Sequence, residues 1–310
     1  MSAIVETDAV NVAAIADPVP EMAQEAQKLA PDAAVVADLD ALLGLGLDGV
    51  VIATPSALHA VQSIRALEAG AAVFCQKPLG RTAGEVRAVV EAARAADRLL
   101  GVDLSYRFTE AMRAVRGVLA EGGIGRPYAV DLVFHNAYGP DKAWFYDPAL
   151  SGGGCVMDLG VHLVDLALWA LDFPEVVEVS SHLFAGGEPL AGGEGQVEDY
   201  AVASLTLATG TVVRLACSWR LQAGRDAVIE AAFYGTEGGL ALHNVGGSFY
   251  DFTAERYRGT ARETLASPPD SWGGRAAADW ARRLAAGERF APEAERFASV
   301  AAVLDRIYRR

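Results

Sequence analysis

Asp158 and His162 stand four residues apart in GGGCVMDLGVHLVD (152–165), where three glycines lead into an apolar helical pattern. The i, i+4 spacing puts both side chains on one helix face, with Asp165 about one further turn along. A carboxylate beside an imidazole on a pocket-facing helix suits proton transfer near neutral pH. Taken alone, D-x-x-x-H more often describes an ordinary helix with a satisfied histidine. The weight it carries depends on the elements around it.

Those elements change character once along the chain. Up to about residue 105, short apolar runs such as NVAAIA (11–16), DGVVIAT (48–54), AAVFCQKP (71–78) and LLGVDLSYRF (99–108) alternate with helical stretches. Proline closes several of the runs, and Thr82 and Glu85 stand at capping-box spacing. Strands alternating with helices predict a Rossmann-like, doubly wound parallel α/β sheet over residues 1–105. The runs are nearly all apolar, as strands covered on both faces require. From 106 to 310 the pattern predicts an α+β domain with a large, mostly antiparallel sheet. Its strands include YAVDLVFHNAY, DYAVASLTL, TVVRLACSW, AVIEAAFY and GGLALHNV, with a hairpin turn at Ala208–Thr211. Two terminal helices, near 273–287 and 292–308, are expected to pack back over the junction.

Composition narrows the functional classes. A chain of 310 residues that is 52% hydrophobic holds about two domains with substantial cores. A net charge of −14 without a basic run speaks against nucleic acid. LVDLALWAL is interrupted by Asp165 and soon followed by Asp172 and Pro174, so no membrane span is expected. The N-terminus lacks the basic and apolar regions of a secretory signal, which makes a cytoplasmic location the expectation. Cys75, Cys155 and Cys217 read as buried thiols, and the five scattered histidines give no metal-ligand spacing.

Two glycine and acid signals bear on a dinucleotide. Gly44-Leu45-Gly46-Leu47-Asp48-Gly49 fits G-x-G-x-x-G, but a helix precedes it and a strand follows. A dinucleotide loop needs the opposite order, so this segment reads as a turn. Asp17 stands where such folds hold the adenosine ribose, about twenty residues after the glycine loop. Counting back that far runs past Met1, so the first strand and phosphate loop are expected to be missing from this sequence. A misplaced start and a true truncation both fit that expectation.

Four segments in order, AIADP (14–18), VIATPSALH (51–59), CQKP (75–78) and GGGCVMDLGVHLVD, resemble the Gfo/Idh/MocA oxidoreductases. The resemblance extends to YGTEGGL (234–240) and the terminal helices. It implies that Lys77, His162 and Asp158 are catalytic. His162 would exchange a hydroxyl proton, Lys77 would hydrogen-bond the same oxygen, and Asp158 would orient the substrate. Such chemistry oxidises a secondary alcohol when nicotinamide takes the hydride. The resemblance also places Asp17, Ala53, Thr54, Pro55, His59 and Gln76 beside the cofactor. Gln76 departs from the family's E-K-P, removing a negative charge next to Lys77. Asn136 matches a substrate-contacting asparagine, while Arg107, Tyr138, Trp144 and Trp219 are candidates to line a polyol pocket.

The implied function is an NAD(P)-dependent dehydrogenase or reductase of a sugar, cyclitol or related hydroxy compound. Asp17 without a nearby arginine favours NAD, with NADP the alternative. An NAD-dependent glycosidase and a cofactor-free ligand-binding homologue remain open alternatives. The resemblance further implies a homodimer or homotetramer formed through the C-terminal sheet.

Overall fold

The computed structural model describes residues 1–190 and 195–310. In chain order the first elements are α1 (Ser2–Val5), β1 (Ala14–Ile15), α2 (Pro20–Leu29), β2 (Ala34–Val35), α3 (Leu39–Leu43), β3 (Gly49–Ile52), α4 (Ser56–Glu68), β4 (Ala72–Cys75), α5 (Ala83–Ala96) and β5 (Leu100–Val102). They are followed by α6 (Glu110–Ala120), β6 (Pro127–Asn136), α7 (Pro148–Ser151), a π-helical turn (Val156–Gly160) and α8 (Val161–Ala170). Next come β7 (Val176–Ala185), β8 (Glu188–Pro189), β9 (Tyr200–Leu207), β10 (Val212–Ser218), β11 (Ala227–Gly235), β12 (Gly239–Asn244), β13 (Phe252–Arg258) and β14 (Ala261–Ala266). The chain closes with α9 (Arg275–Ala285) and α10 (Glu295–Tyr308).

Two compact units emerge. One comprises residues 1–80, 84–105 and 273–298, the other 81–83, 106–272 and 299–310. In the first, parallel pairing joins β1 to β2 and, separately, β3 to β4 to β5. The strands are therefore parallel as the alternating pattern predicts, but they fall into two ladders, and none joins β1 to β3 among the described residues. Only Leu100–Val102 of the run 99–108 is strand; Ser105–Phe108 forms a 3₁₀ turn. Trp280 of α9 packs against Phe74 of β4 with ring centroids 5.8 Å apart. Gly49 and Gly101 make room for that indole: a Cβ on either would lie within 2.9 Å of the Trp280 ring. Gly49 closes the 44–49 glycine segment between α3 and β3, and its missing side chain lets α9 pack close to β3.

The second unit is built on a nine-stranded sheet ordered β14-β13-β12-β11-β6-β10-β9-β7-β8. Among the described residues only its β10–β6 pair is parallel. Period-two alternation sends Val130, Leu132 and Phe134 of β6 into the core with Val213, Leu215 and Cys217 of β10. The hairpin between β9 and β10 turns at Gly210, whose φ of +83° suits glycine. Nearly every residue of α8 is buried, as its apolar composition on all sides requires. The stretch Pro148–Ala170 is long and apolar enough to cross a membrane by length and composition, yet 89% of its most apolar window is buried within the fold. It is a core segment.

Candidate active site

In the first unit the sequence candidates gather at the carboxyl ends of parallel strands. Asp17 follows β1; Ala53, Thr54 and Pro55 follow β3; Gln76 and Lys77 follow β4. Asp17 is exposed, and its Oδ1 accepts the Val19 N–H at 2.8 Å. His59, in the first turn of α4, is buried, with its ring nitrogens each 2.6 Å from a carbonyl oxygen, of Thr54 and of Pro78. It thereby ties the turn after β3 to the bend that carries Lys77. Burial pulls its pKa below the ordinary value; the two carbonyls act the other way, and the Lys77 charge adds to the fall. The Thr54 hydroxyl is 2.7 Å from Gln62 Oε1. His59 and Thr54 therefore brace the backbone.

Asp103, at the end of β5, escaped the sequence reading. Gln76 Nε2 donates to its Oδ2 at 2.7 Å, while its Oδ1 is enclosed without a hydrogen-bond partner among the described residues. Burial raises its pKa, and Gln76, Lys77 and the Met1 amino group pull the other way. Beside it, burial pushes the Cys75 thiol up to about 12, which leaves that sulfur unreactive.

The second unit carries the Asp158–His162 pair. The Val161 N–H reaches back five residues to the Val156 carbonyl, closing a π-turn around Asp158. Such turns recur at functional sites. By winding more residues per turn than an α-helix, this one brings positions 158 and 162 more nearly into line along the axis. The Trp219 indole N–H donates to Asp158 Oδ2 at 3.0 Å. The His162 ring meets Tyr106 edge-on, with centroids 4.8 Å apart. Burial drives the Tyr106 hydroxyl far above its ordinary pKa, and the Asp158 charge adds to the rise. Tyr106 therefore stays protonated.

Sequence reasoning also missed the device that holds this helix. Glu198 is buried, and its carboxylate accepts N–H groups from Gly154 (3.0 Å) and Val156 (2.9 Å) and the Tyr308 hydroxyl (2.7 Å). Tyr308 in turn accepts the Met157 N–H at 3.1 Å. A carboxylate against the first amides of a helix satisfies donors that would otherwise be orphaned. Gly153 and Gly154 permit the close approach: a Cβ on the first would strike the Tyr308 hydroxyl, and on the second the Glu198 carbonyl. The only sequence signal was the acidic pair Glu198-Asp199 entering an apolar strand.

The remaining candidates divide. Arg107 clamps Asp165 through two contacts, Nε to Oδ2 at 2.7 Å and a second, shorter one. Its guanidinium also lies over Trp169 and Phe173. Burial raises the Asp165 pKa while Arg107 opposes that rise. Asn136 accepts the Tyr138 N–H, and the exposed Tyr138 hydroxyl donates to Asp226. Trp144 stacks on Phe145, which meets Trp219 edge-on, as does Tyr146. These rings join Trp144 to the residue that holds Asp158. A cavity of about 430 Å³ beside Trp219 is lined by Phe184, Asp199, Tyr200, Ser218 and Arg220.

Dinucleotide-binding folds place their ligand at the carboxyl ends of parallel strands. The first unit offers such a group Asp17 at one strand tip and the unpartnered Asp103 Oδ1 at another, so these residues fit it. Among the described residues no group of three or more His, Cys, Asp or Glu side chains could hold a metal ion.

Comparison with known proteins agrees with this division. Residues 1–104 match the family model described as oxidoreductase family, NAD-binding Rossmann fold. Residues 112–241 match the GFO/IDH/MocA C-terminal domain. The chain is 34% identical over 204 residues to 1,5-anhydro-D-fructose reductase of Ensifer adhaerens, covering 64% of this chain and 58% of that protein. It is 28% identical over 211 residues to D-glucoside 3-dehydrogenase of Escherichia coli (strain K12), covering 65% and 60%. The matched stretch thus spans about three fifths of these relatives. A levoglucosan dehydrogenase solved with NADH and L-sorbose superposes with a TM-score of 0.83 at 22% identity, covering 99% of this chain and 92% of the other. That likeness speaks to the fold, a Rossmann-like domain followed by one with a large, mostly antiparallel sheet. With both family models matched in order, the chain belongs to the GFO/IDH/MocA oxidoreductase family.

Proposed function

We propose that the protein is an NAD-dependent oxidoreductase that interconverts a secondary alcohol and a ketone on a sugar, cyclitol or related polyol. The observation that carries this reading is Asp158 and His162 on one π-turned helix, with Asp158 oriented by Trp219. Bound nicotinamide would supply the hydride acceptor or donor. His162 takes the hydroxyl proton on oxidation and returns it on reduction. The Lys77 ammonium hydrogen-bonds the same oxygen and stabilises its developing charge. Asp158 orients substrate hydroxyls, and the aromatic group around Trp219 offers ring faces to sugar C–H surfaces. Asn136, Tyr138 and Trp144 are proposed as further pocket residues, and Arg107 as a brace for them through Asp165. Asp17, Ala53, Thr54, Pro55, His59 and Gln76 are proposed to border the cofactor. NAD is preferred to NADP because Asp17 presents a carboxylate where a 2′-phosphate would sit.

The relatives named above act on sugars or sugar derivatives, which supports the substrate class. A homodimer or homotetramer through the large sheet is proposed as well. Support comes from its open face, where Val202, Val212 and Tyr234 are 37%, 40% and 39% exposed. The cytoplasm is the proposed compartment, supported by three buried free thiols. A panel of aldoses, ketoses and inositols assayed with NAD and NADP tests the reading. NAD-linked turnover of a polyol is the expected result; turnover with NADP alone would overturn the cofactor preference, and no hydride transfer on any compound would overturn the activity.

A further inference from the structure

Gln76 and Asp103 form a pair whose purpose packing does not explain. Both lie just past the carboxyl ends of adjacent parallel strands, β4 and β5, and Gln76 immediately precedes Lys77. Gln76 Nε2 donates to Asp103 Oδ2 at 2.7 Å, which fixes the carboxyl plane. The other oxygen, Oδ1, is shut away from solvent with no hydrogen-bond partner among the described residues. An enclosed carboxylate oxygen left without a donor is costly, so its retention calls for an explanation. Asp103 also feels the Lys77 charge, which favours its ionised form. The amide at 76 carries no charge, so Asp103 supplies the negative charge of this corner.

We propose that Asp103 is a positioning residue of the Lys77 site, keeping the lysine ammonium in place and offering Oδ1 to a hydroxyl of the bound ligand. This rests on the oxidoreductase reading for the identity of the ligand, a ribose or polyol hydroxyl, but not for the coupling to Lys77. Gln76 bonds to Asp103, and the charges of Lys77 and the Met1 amino group act on it. Burial holds its carboxyl above the ordinary aspartate range, so it changes charge where exposed carboxylates are already ionised.

The chain has three lysines, Lys28, Lys77 and Lys142, so ¹³C-methylation of the intact protein gives few NMR signals, and the Lys77→Arg variant assigns the one of interest. In the wild type the Lys77 signal is expected to show a titration step above the ordinary carboxylate range. Asp103→Asn should abolish that step, and the exchange variant Gln76→Glu/Asp103→Asn should restore one. A Lys77 signal without the step, or a step that survives Asp103→Asn, overturns the proposal whether or not the protein binds a dinucleotide. Two further measurements locate the hydroxyl. Asp103→Asn weakening NADH binding tenfold or more, read by fluorescence titration, assigns it to ribose. A tenfold rise in the polyol KM with NADH binding unchanged assigns it to substrate. If the wild type binds NADH and turns over while both values stay unchanged in Asp103→Asn, the ligand role is overturned. Failure of the wild type to bind NADH or to turn over counts against the oxidoreductase reading, and the NMR titration still decides the coupling to Lys77.

Discussion

Trp219 donates its indole N–H to Asp158 and lies beneath the rings of Phe145 and Tyr146, so one side chain sets both the carboxylate and the aromatic wall. Replacing it with phenylalanine keeps most of the packing and removes only the donor. A hydrogen bond to a charged group contributes roughly 1.5–3 kcal/mol. If about half of that is felt in the transition state, Trp219→Phe lowers kcat/KM about tenfold. Steady-state kinetics with the best substrate of the panel check this; an unchanged kcat/KM would mean that Asp158 needs no such support. At this scale the placement of Asp158 and His162 on one helical segment, and of Lys77 just past β4, was legible from local patterns. Asp103, Tyr106 and Glu198 were not, because their meaning lies in partners distant along the chain. Gln76 and Asp103 are 27 residues apart, and Glu198 and Tyr308 are 110 apart.

The helix carrying Asp158 and His162 starts on a glycine loop whose amides end on one buried carboxylate. Gly154→Ala would drive a methyl group into the Glu198 backbone carbonyl, where no flexible side chain can yield. We expect a loss of about 3 kcal/mol or more in unfolding free energy, measured by urea denaturation. Burial raises the Glu198 pKa, with Tyr308, Val156 and Gly154 opposing the rise. A raised folded-state value means that the native chain holds the proton more tightly than the unfolded chain. This contribution to stability is therefore complete below the ordinary glutamate range and is lost as pH rises through the folded value. Asp165 contributes a slope of the same sign. Glu198→Gln keeps the shape and removes one titration, so stability measured over a pH series should fall less steeply than in the wild type. An unchanged slope would show that Glu198 does not titrate in that window. The helix itself was legible from its apolar pattern; the π-turn was not, since it depends on where the first amides find acceptors.

Across the whole molecule, alternation of apolar runs with helices identified the parallel strands of the first unit, and period-two burial identified the large sheet. The division of the parallel strands into two ladders and the parallel β10–β6 pair were not legible, because strand neighbours depend on pairings that no local pattern encodes. The open face of the nine-stranded sheet should hold copies together, so light scattering is expected to give twice or four times the 32.5 kDa chain mass. A strictly monomeric mass would rule that out. The central proposal is that the Lys77 ammonium and the His162 imidazole serve one carbinol oxygen. Kinetics of Lys77→Ala, His162→Ala and the double variant test it most directly. Groups that act as one catalytic unit are strongly non-additive, so each single change should remove most turnover and the double should fall little further. Near-normal rates in both single variants, or losses that simply multiply in the double, would contradict it.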